Sequence, residues 1–346
     1  MTDEIPTTMK RLVVTVPGKD LASCKIEIEE VPVPKPASNQ VLIKVAAAAI
    51  NPSDYGSWYR AKPENCPFAM GKEGSGIVVA SGGDFSTFRL PVGTKVGFVG
   101  LKGKQGSYSE YVVVTATGSV FPMPEDLPIE DAASFFVNPY TAVGILDTVK
   151  KEGAKAFIHT AAASQLGQMI VKIAPSEGIE VINVVRREEQ AQLLKDLGAN
   201  HVVVTGSDDA WKEKLKSKID ELGATVAFDA IAGDMAGDLF DLIPRKGSLY
   251  VYGGLAGRVG NVDPMGLIYH EKKLKGFFLT SWIQQGGMIG TIPRMLKAGR
   301  KVNSGLQKGG WSSSQFKDTT LEKAQTDCVK LLESSATGQK LRVRFN

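Results

Sequence analysis

The amino-acid sequence predicts an α/β protein that joins a compact, β-barrel-like part to a doubly wound parallel sheet. The first third of the chain holds short strand-like runs with no helix between them, which suits a barrel. From Ala154 onward predicted strands and helices alternate, which is typical of a parallel sheet with helices on both faces. The chain has 346 residues, more than one hydrophobic core usually holds, so two domains are expected.

The barrel-like part is predicted from β-branched or alternating runs. Glycine and proline separate these runs, as at Pro17-Gly18 and Pro91-Val-Gly93, where turns are expected. The predicted strands are Lys10–Val16, Val41–Ala47, Gly76–Ala80, Lys95–Val99 and Tyr108–Val114.

The second part begins after Pro128 with a helical segment, Ile129–Val149, expected in two pieces broken at Asn138-Pro139. The alternation of strands and helices follows, and Gly198 stands where a helix C-terminal glycine is expected. The predicted strands are Ala156–His159, Glu180–Val185, His201–Val204, Thr225–Asp229, Ser248–Tyr252 and Lys273–Thr280. The predicted helices are Leu166–Ala174, Glu188–Leu197, Asp208–Leu222, Met235–Ile243 and Met288–Lys297.

The tail from Val302 is expected to hold a helix around Leu321–Ser334 and a final strand, Lys340–Phe345. The predicted layout is one domain built from both chain ends, residues 1–128 and 286–346. A dinucleotide-binding domain, residues 129–285, is inserted between them.

Composition and charge exclude several classes of protein. Apolar residues make up 43% and charged residues 23%, as in ordinary globular proteins. No apolar run reaches the roughly 18–20 residues that span a bilayer, and the N-terminus lacks a targeting pattern, so a cytoplasmic protein is expected. The net charge of +4 comes from dispersed basic residues, which argues against a nucleic-acid partner and suits an anionic cofactor or simply a solvated surface.

The cysteines and histidines do not form a metal-binding pattern. Cys24, Cys66 and Cys328 are too sparse for a disulfide framework or a thiolate zinc site. The three histidines, His159, His201 and His270, have no Cys or His at a metal-ligand spacing. We therefore expect no metal, and we expect His159 to be a core histidine with its hydrogen bonds satisfied.

The segment after the first strand of the parallel sheet predicts a dinucleotide site. Its small residues follow the pattern Ala161-x-x-Ser164-x-x-Gly167 and lead into a helix, where backbone N–H groups and the helix dipole favour a pyrophosphate. Such residues also occur at ordinary tight strand–helix junctions, but here they lie inside a long series of strands and helices. The predicted cofactor-binding residues in this segment are Ala163, Ser164, Gln165, Leu166 and Gly167.

The end of the second strand indicates which dinucleotide is bound. A carboxylate at this position holds the ribose 2′-hydroxyl of NAD, whereas a cation accepts the 2′-phosphate of NADP. The sequence reads Val184-Val185-Arg186-Arg187, with no acid before Glu188. Arginine binds phosphate with two hydrogen bonds, so Arg186 predicts NADPH.

Two later strand ends are expected to line the same crevice. Asp229-Ala-Ile-Ala-Gly233 follows the fourth strand. Tyr252, Gly253 and Gly254 follow the fifth strand, and the two glycines would let the backbone lie against ribose or nicotinamide. An ordinary loop is the alternative interpretation.

Four motifs resemble those of the quinone oxidoreductases, which belong to the zinc-independent branch of the medium-chain dehydrogenase/reductase superfamily. They are Asn51-Pro-Ser-Asp54, Gly71-Lys-Glu73-Gly74-Ser-Gly76, Val92-Gly93-Thr-Lys-Val96 and Gly106-Ser-Tyr-Ser-Glu110-Tyr. The segment from Ser164 to Arg186 also resembles the mitochondrial-type 2-enoyl thioester reductases. The resemblance covers nearly the whole chain and implies a GroES-like β-barrel catalytic domain, a Rossmann domain and a homodimer.

The resemblance also implies a reaction without zinc. Zinc alcohol dehydrogenases of this superfamily place a histidine just before the glutamate of the second motif, and here that position is Lys72. Without a Lewis acid to stabilise an alkoxide, exchange between alcohol and ketone is disfavoured. Reduction of a quinone or enone depends less on a Lewis acid, because the negative charge that develops on the substrate is delocalised onto an oxygen.

The resemblance implies further site residues. The catalytic candidates are Asn51, expected at the nicotinamide ribose or carboxamide, and Tyr59, with Tyr55 as a substitute, since the family's usual tyrosine position near Arg60–Lys62 holds none. Thr141 matches a helix residue beneath the nicotinamide. Phe278, with Phe277, is expected to wall the pocket or to pack in a dimer. A turn-forming Asn51, packing tyrosines and a plain helical Thr141 are the alternatives.

Three functions remain open. The first is an NADPH-dependent reductase of quinones and other activated alkenes, acting on a small molecule. The second is a 2-enoyl thioester reductase. The third is an NADPH-binding or RNA-associated protein with little turnover, which the dispersed charge does not favour.

Overall fold

In the computed structural model, the described residues are 4–101, 105–206, 208–308, 310–311, 316–334 and 338–345. They divide into two compact units, which are described separately. The first unit comprises Met1–Val137 and Asn303–Asn346, and the second comprises Asn138–Val302. Both ends of the chain therefore contribute to the first unit. The changes of unit lie at 137/138 and 302/303, where the sequence analysis places them at 128/129 and 285/286.

The strands of the first unit pair antiparallel, apart from β15 and β16, which are parallel to each other. A seven-stranded sheet has the order β15-β16-β3-β5-β6-β8, with β7 paired to β3, and a smaller sheet has the order β2-β1-β4. The strands are β1 Thr8–Val16, β2 Lys25–Pro32, β3 Gln40–Ala49, β4 Phe68–Ala69, β5 Glu73–Ser81, β6 Lys95–Val99, β7 Tyr111–Thr115, β8 Val120–Pro122, β15 Phe316–Thr319 and β16 Lys340–Arg344.

Strand β3 organises this unit because it pairs with three partners, β5, β7 and β16. Its alternate residues Val41, Ile43 and Val45 are almost completely buried and join a core with Val78 and Phe98. The pairing of β3 with β5 shifts register twice, between Leu42 and Ile43 and between Val45 and Ala47. Such irregularities bend a strand, which lets the sheet curl into a barrel-like form.

Short helices connect the strands of the first unit. The α-helices are α1 Pro52–Trp58, α2 Ala116–Ser119 and α11 Ala324–Glu333, and the 3₁₀ turns are Pro63–Asn65, Phe85–Thr87 and Asp131–Ser134. Helix α1 begins in the way its sequence dictates: Pro52 occupies the first turn, where no N–H is needed, and the Asp54 carboxylate accepts the backbone N–H of Asn51 at 2.8 Å.

The second unit is a six-stranded sheet in the order β11-β10-β9-β12-β13-β14, and every paired neighbour is parallel. Numbered within the unit, this is the order 3-2-1-4-5-6 of a dinucleotide-binding fold, so the predicted doubly wound sheet is confirmed. The strands are β9 Ala156–His159, β10 Glu180–Val185, β11 His201–Val204, β12 Val226–Asp229, β13 Ser248–Val251 and β14 Lys273–Gly276.

Helices alternate with these strands and bury their apolar stripes on the sheet. Trp211, Leu215 and Ile219 of α6 pack with Ile158 and Val184 of the sheet. The helices are α3 Val137–Lys151, α4 Gln165–Ile173, α5 Glu188–Asp196, α6 Ala210–Leu222, α7 Gly233–Leu242, α8 Pro264–Ile268, α9 Leu279–Gln284 and α10 Gly287–Lys308, with a 3₁₀ turn at Ala174–Glu177.

Two predictions need correction. The segment Ile129–Val149 does hold two helical pieces, the 3₁₀ turn Asp131–Ser134 and helix α3, but the break lies at Phe135-Phe136 and not at Asn138-Pro139. Helix α3 accommodates Pro139 as its third residue, because the first turn of a helix needs no N–H from its own residues. The predicted strand Lys273–Thr280 ends at Gly276, and a short helix starts at Leu279. Within the described part of the chain, no helix is both long and apolar enough to cross a bilayer.

Candidate cofactor and active site

The turn between β9 and α4 has the geometry of a phosphate-binding loop. Ala161 has a positive φ of 49°, a conformation that usually requires glycine. Ser164 caps α4, and its Oγ accepts the backbone N–H of Gly167 at 3.2 Å. A Cβ on Gly167 would lie 2.0 Å from the carbonyl oxygen of Ala162, so only glycine fits where the helix meets the turn.

The same turn leaves donors for an anion. Among the described residues, none accepts a hydrogen bond from the backbone N–H groups of Ala163 and Leu166. Both side chains are buried, so these two residues contribute through their backbone. Unpaired N–H groups at the start of a helix attract phosphate. The residues present therefore fit the pyrophosphate of a dinucleotide.

Arg186 lies next to this turn in the order of the sheet, because it follows β10, the neighbour of β9. The side chain is exposed, and its backbone N–H donates to Oε1 of Gln190 at 2.9 Å. No acidic residue of the described chain pairs with the Arg186 guanidinium. The guanidinium is thus available to a phosphate.

The loops after β12 and β13 close together at the same edge of the sheet. Asp229, fully buried, accepts hydrogen bonds from the hydroxyl of Thr160 at 2.6 Å and from the N–H groups of Ile231 and Ala232 at 3.0 and 2.8 Å. A Cβ on Gly253 would lie 2.6 Å from the carbonyl oxygen of Ala230, so the two loops require glycine at this contact. Gly254 is exposed and less constrained, with its nearest neighbour at 3.1 Å.

Tyr252 is held by a buried histidine. Its hydroxyl lies 2.8 Å from Nε2 of His159, and the two rings stack with centroids 5.8 Å apart. Burial lowers the pKa of His159 to about 3, so the ring is neutral. His159 Nδ1 has no hydrogen-bond partner in the described chain, so the expected core histidine is only half satisfied.

The remaining predicted residues of this unit differ in exposure. Thr141 is buried in the first half of α3. Phe278 caps α9 and is 65% exposed, whereas Phe277 packs edge-on against Phe228 with centroids 5.6 Å apart. Phe278 is therefore open to a ligand or partner, and Phe277 belongs to the core.

In the first unit, Asn51 lies in a buried polar network. Its Nδ2 donates to Oε1 of Glu73 at 2.8 Å, and both side chains are almost completely buried. Oε2 of Glu73 accepts the backbone N–H groups of Phe136 and Val137 at 3.1 and 2.9 Å. Lys340 is also buried, donates to the hydroxyl of Ser134 and lies 3.8 Å from Oε1 of Glu73.

Asp54 adds a second carboxylate to this region. Burial raises its pKa to about 6, although Lys72 and the backbone N–H of Asn51 act in the opposite direction. Its Oδ2 binds that N–H, and its Oδ1 has no hydrogen-bond partner among the described residues. The carboxyl of Asp54 is therefore a group that can change its protonation near neutral pH.

The two candidate tyrosines lie on or just after α1. Tyr59 is half-buried, the Arg60 guanidinium lies 5.3 Å from its ring centroid, and its hydroxyl has no hydrogen-bond partner among the described residues. Tyr55 packs edge-on against Trp58, and burial raises its pKa. The Tyr59 hydroxyl is consequently the more accessible of the two.

Two contacts in this description have no counterpart in the sequence analysis. They are the Glu73–Lys340 pair and the bond between His159 and Tyr252. Each joins residues far apart in the chain, so no local sequence pattern indicates it.

No three His, Cys, Asp or Glu side chains within the described ranges are grouped as a metal site. Lys72 donates to the carbonyl oxygen of Ser53, at the position where zinc enzymes of the resembled superfamily carry a histidine.

Comparison with known proteins agrees with this architecture. Residues 37–125 match the family model of the alcohol dehydrogenase GroES-like domain, and residues 166–297 match that of the zinc-binding dehydrogenases. The mitochondrial enoyl-[acyl-carrier-protein] reductase of Xenopus tropicalis is 31% identical over 74% of this chain and 74% of its own length.

Solved structures are similar over the whole chain. A Mesorhizobium loti protein with a provisional NADPH:quinone reductase assignment is 31% identical, with a TM-score of 0.86 over 99% of this chain and 100% of its own. The Escherichia coli quinone oxidoreductase, solved with NADPH, has the same fold at 22% identity, with a TM-score of 0.80 over 97% of this chain and 100% of its own. This chain therefore belongs to the medium-chain dehydrogenase/reductase superfamily of oxidoreductases.

Proposed function

We propose that this protein reduces a quinone or another activated alkene with NADPH by direct hydride transfer, without zinc. One observation carries the proposal: the Ala161–Gly167 turn, with its unpaired N–H groups, lies beside Arg186 at the carboxyl edge of a parallel sheet. Such an edge is where open α/β sheets bind their ligands. The names of the relatives, quinone reductases and enoyl reductases, describe this type of chemistry.

The residues of the turn and Arg186 fix the orientation of the cofactor. The N–H groups of Ala163 and Leu166 hold the pyrophosphate, with Ser164, Gln165 and Gly167 shaping the helix start. Arg186 holds the 2′-phosphate of the adenosine ribose, a contact that NADH cannot make. Tyr252, Gly253 and Gly254, with Thr141 and Phe278, are the proposed neighbours of the ribose and nicotinamide.

NADPH, when bound, supplies the hydride that adds to a conjugated carbon of the substrate. This chain's residues then stabilise the charge that develops on the substrate oxygen. The hydroxyl of Tyr59 has no intramolecular partner among the described residues and is the proposed proton donor. Asn51 is the proposed contact to the nicotinamide ribose or carboxamide.

The proposal omits zinc because the side chains at this position do not form a zinc ligand set. Lys72 is a cation at a position where a zinc site needs a neutral or anionic ligand. The neighbouring Glu73 is already bound to Asn51, two backbone N–H groups and Lys340. A quinone or enone can be reduced in such a site because resonance spreads its negative charge.

The second candidate function is reduction of 2-enoyl thioesters. Identity to the Xenopus enoyl-[acyl-carrier-protein] reductase favours it, and the hydride chemistry is the same. The third candidate, an NADPH-binding or RNA-associated protein with little turnover, predicts RNA binding whose affinity falls steeply with salt.

The test is NADPH oxidation by purified protein with 1,4-benzoquinone, 9,10-phenanthrenequinone, a short enal and crotonyl-CoA, with NADH in parallel. Turnover of quinones with NADPH supports the proposal. A strong preference for crotonyl-CoA moves the protein to the thioester reductases. NADPH binding without turnover of any substrate, combined with salt-dependent RNA binding, supports the third candidate.

We also propose that the protein is a homodimer, as the family resemblance implies. Strand β14 lies at the edge of the six-stranded sheet, where unpaired backbone N–H and C=O groups can pair with another strand. Ile268 and Tyr269, just before this strand, are 62% and 69% exposed. Light scattering coupled to size exclusion at micromolar concentration should give twice the 37.0 kDa mass of the chain, and a monomer would refute this proposal.

A further inference from the structure

Helix α10 carries a strip of exposed apolar side chains on one face. Ile289, Ile292 and Leu296 are 90%, 61% and 59% exposed, and Ile289 is the most exposed large apolar residue described in the second unit. Their spacing of three and four residues places them on the same face of the helix, over about 10 Å of its length. Single exposed apolar side chains are ordinary, whereas a contiguous strip bordered by polar residues is typical of an interaction surface.

The opposite face of α10 is anchored within the same unit. Ala298 is buried there, and the Arg294 guanidinium lies 5.7 Å from the ring centroid of Trp282 on α9. One turn of helix beyond Ala298, Lys301 pairs with Glu177. These contacts determine which face of α10 points away from the unit, so the helix cannot rotate to bury the apolar strip without breaking them.

Positive charge borders the strip. Arg300 follows Leu296 by about one turn, and Lys297 lies on the adjoining face. Both side chains are exposed, and within the described residues no ion pair or hydrogen bond holds either of them. Residues 287–308 contain five Lys or Arg and no Asp or Glu. A partner that matches this face therefore carries negative charge next to an apolar layer.

The surface of a bilayer that contains anionic lipids has both properties. A helix of this kind lies in the plane of the interface, with its apolar side chains at the boundary of the acyl chains and its cations at the headgroups. A protein partner is disfavoured by area. Three aliphatic side chains offer at most about 400 Å² of apolar surface, whereas a stable protein complex buries about 800 Å² on each partner.

We propose that α10 docks this protein on an anionic membrane surface. Ile289, Ile292 and Leu296 enter the boundary between headgroups and acyl chains, and Lys297 and Arg300 contact lipid phosphates or carboxylates. The docking is weak and reversible, because a small apolar area and two cations act together and neither is sufficient alone. It is independent of the proposed function, since neither cofactor nor substrate takes part.

The test is flotation of the full chain with vesicles of phosphatidylcholine, with and without phosphatidylserine. The wild type should bind the vesicles that contain phosphatidylserine, should be released by high salt, and should bind the uncharged vesicles much more weakly. Joint replacement Lys297→Gln and Arg300→Gln should lower the partition coefficient about 10- to 30-fold, the effect of two cations at an anionic surface. Joint replacement Ile289→Ser and Leu296→Ser should lower it at least about 10-fold.

Control variants match each change in charge and exposure. Joint replacement Lys195→Gln and Lys214→Gln removes two exposed cations from other helices of the same unit. Phe85→Ser removes an apolar side chain that is 92% exposed in the first unit. Both controls should bind vesicles as the wild type does. All substituted side chains are exposed, so equal melting temperatures are expected and show that the fold is intact.

Three outcomes would overturn the proposal. The first is a wild type that does not bind vesicles containing phosphatidylserine. The second is an equal loss of binding in the controls, which would place the membrane contact elsewhere. The third is dissociation of an oligomer by Ile289→Ser and Leu296→Ser, measured by light scattering, with vesicle binding unchanged, which would make the strip an interface between copies of this chain. NADPH oxidation is measured separately, so each of these results leaves the proposed function standing.

Discussion

Replacement of Gly167 by alanine tests the cofactor turn most directly. The new Cβ would lie 2.0 Å from the carbonyl oxygen of Ala162, 2.5 Å from its carbonyl carbon and 2.7 Å from its Cα. Ordinary contacts begin near 3.4 Å, so the turn and the helix must separate by about 1.4 Å. The neighbour is backbone and cannot rotate away, so the strain cannot be relieved locally.

The expected cost is at the upper end of that for overpacked sites, about 3 kcal/mol. A unit of this size, Asn138–Val302, loses about 2–4 °C in melting temperature per kcal/mol, so a decrease of about 6–12 °C is expected. The separation also moves the N–H of Gly167 away from Ser164, so NADPH should bind more weakly.

Differential scanning calorimetry gives the melting temperature, and quenching of intrinsic fluorescence gives the affinity for NADPH. Gly276→Ala is the matched control, because a Cβ there meets nothing within 4 Å in the same sheet. The control should melt within about 2 °C of the wild type, as surface changes usually do. Equal melting temperatures and equal NADPH affinities for the two variants would refute the argument from close packing.

Three other predictions concern the proposed site. Arg186→Ala should reduce the preference for NADPH over NADH by about 10- to 100-fold, because it removes a charge-assisted hydrogen bond to the 2′-phosphate. The control Lys195→Ala, at the far end of α5, should leave the preference unchanged. If steady-state kinetics show an unchanged preference for Arg186→Ala as well, Arg186 is excluded from the 2′-phosphate site. Tyr59→Phe should lower kcat about 100-fold with the dissociation constant of NADPH unchanged, and Tyr55→Phe should have little effect; full activity of the first variant would remove Tyr59 from the mechanism. The pKa of Asp54 is raised to about 6 in the fold, so its contribution to stability is complete below pH 4 and is lost as the pH rises through 6. Asp54→Asn should therefore gain up to about 3 kcal/mol over the wild type between pH 4 and pH 8 in urea unfolding, and parallel pH profiles would contradict it.

The sequence predicted the parallel sheet with accurate bounds where glycines and apolar runs mark the ends of elements. Strands β9, β10 and β11 begin and end at the predicted residues. Gly198 has the positive φ of a helix-ending glycine, 94°. Such features depend on local sequence, so a single chain is enough to find them.

The first unit was predicted less completely. Strand β2 was missed, although its apolar residues Ile26 and Ile28 alternate with acids, and it lies at the edge of its sheet, largely exposed. Helix α1 was also missed, although Pro52 at its start and Asp54 two residues later are the signals of a helix N-terminus. The patterns were present but short, and short runs are ambiguous without tertiary contacts.

The candidate site was predictable as far as its chemistry is local. The Ala161–Gly167 turn and Arg186 lie directly after β9 and β10, where the sequence places them, and their roles in binding stay predictions. The partners of Asn51 could not be predicted, because Glu73 and Lys340 reach it only through the pairing of β3 with β5 and with β16.

The pairing of β3 with β16 has a consequence for synthesis on the ribosome. The segment 47–49 of β3 cannot form its pairing with β16 until Arg342–Arg344 have been synthesised. These residues follow Val137, where the N-terminal segment of the first unit ends, by about 200 positions. At the usual rate of translation this delay is on the order of 10–40 s. The continuous Rossmann unit can fold in that time, while the first unit holds an unpaired strand edge and a Glu73 carboxylate without its lysine. A nascent chain stalled before residue 340 should therefore protect its dinucleotide-binding unit from protease and leave the first unit susceptible.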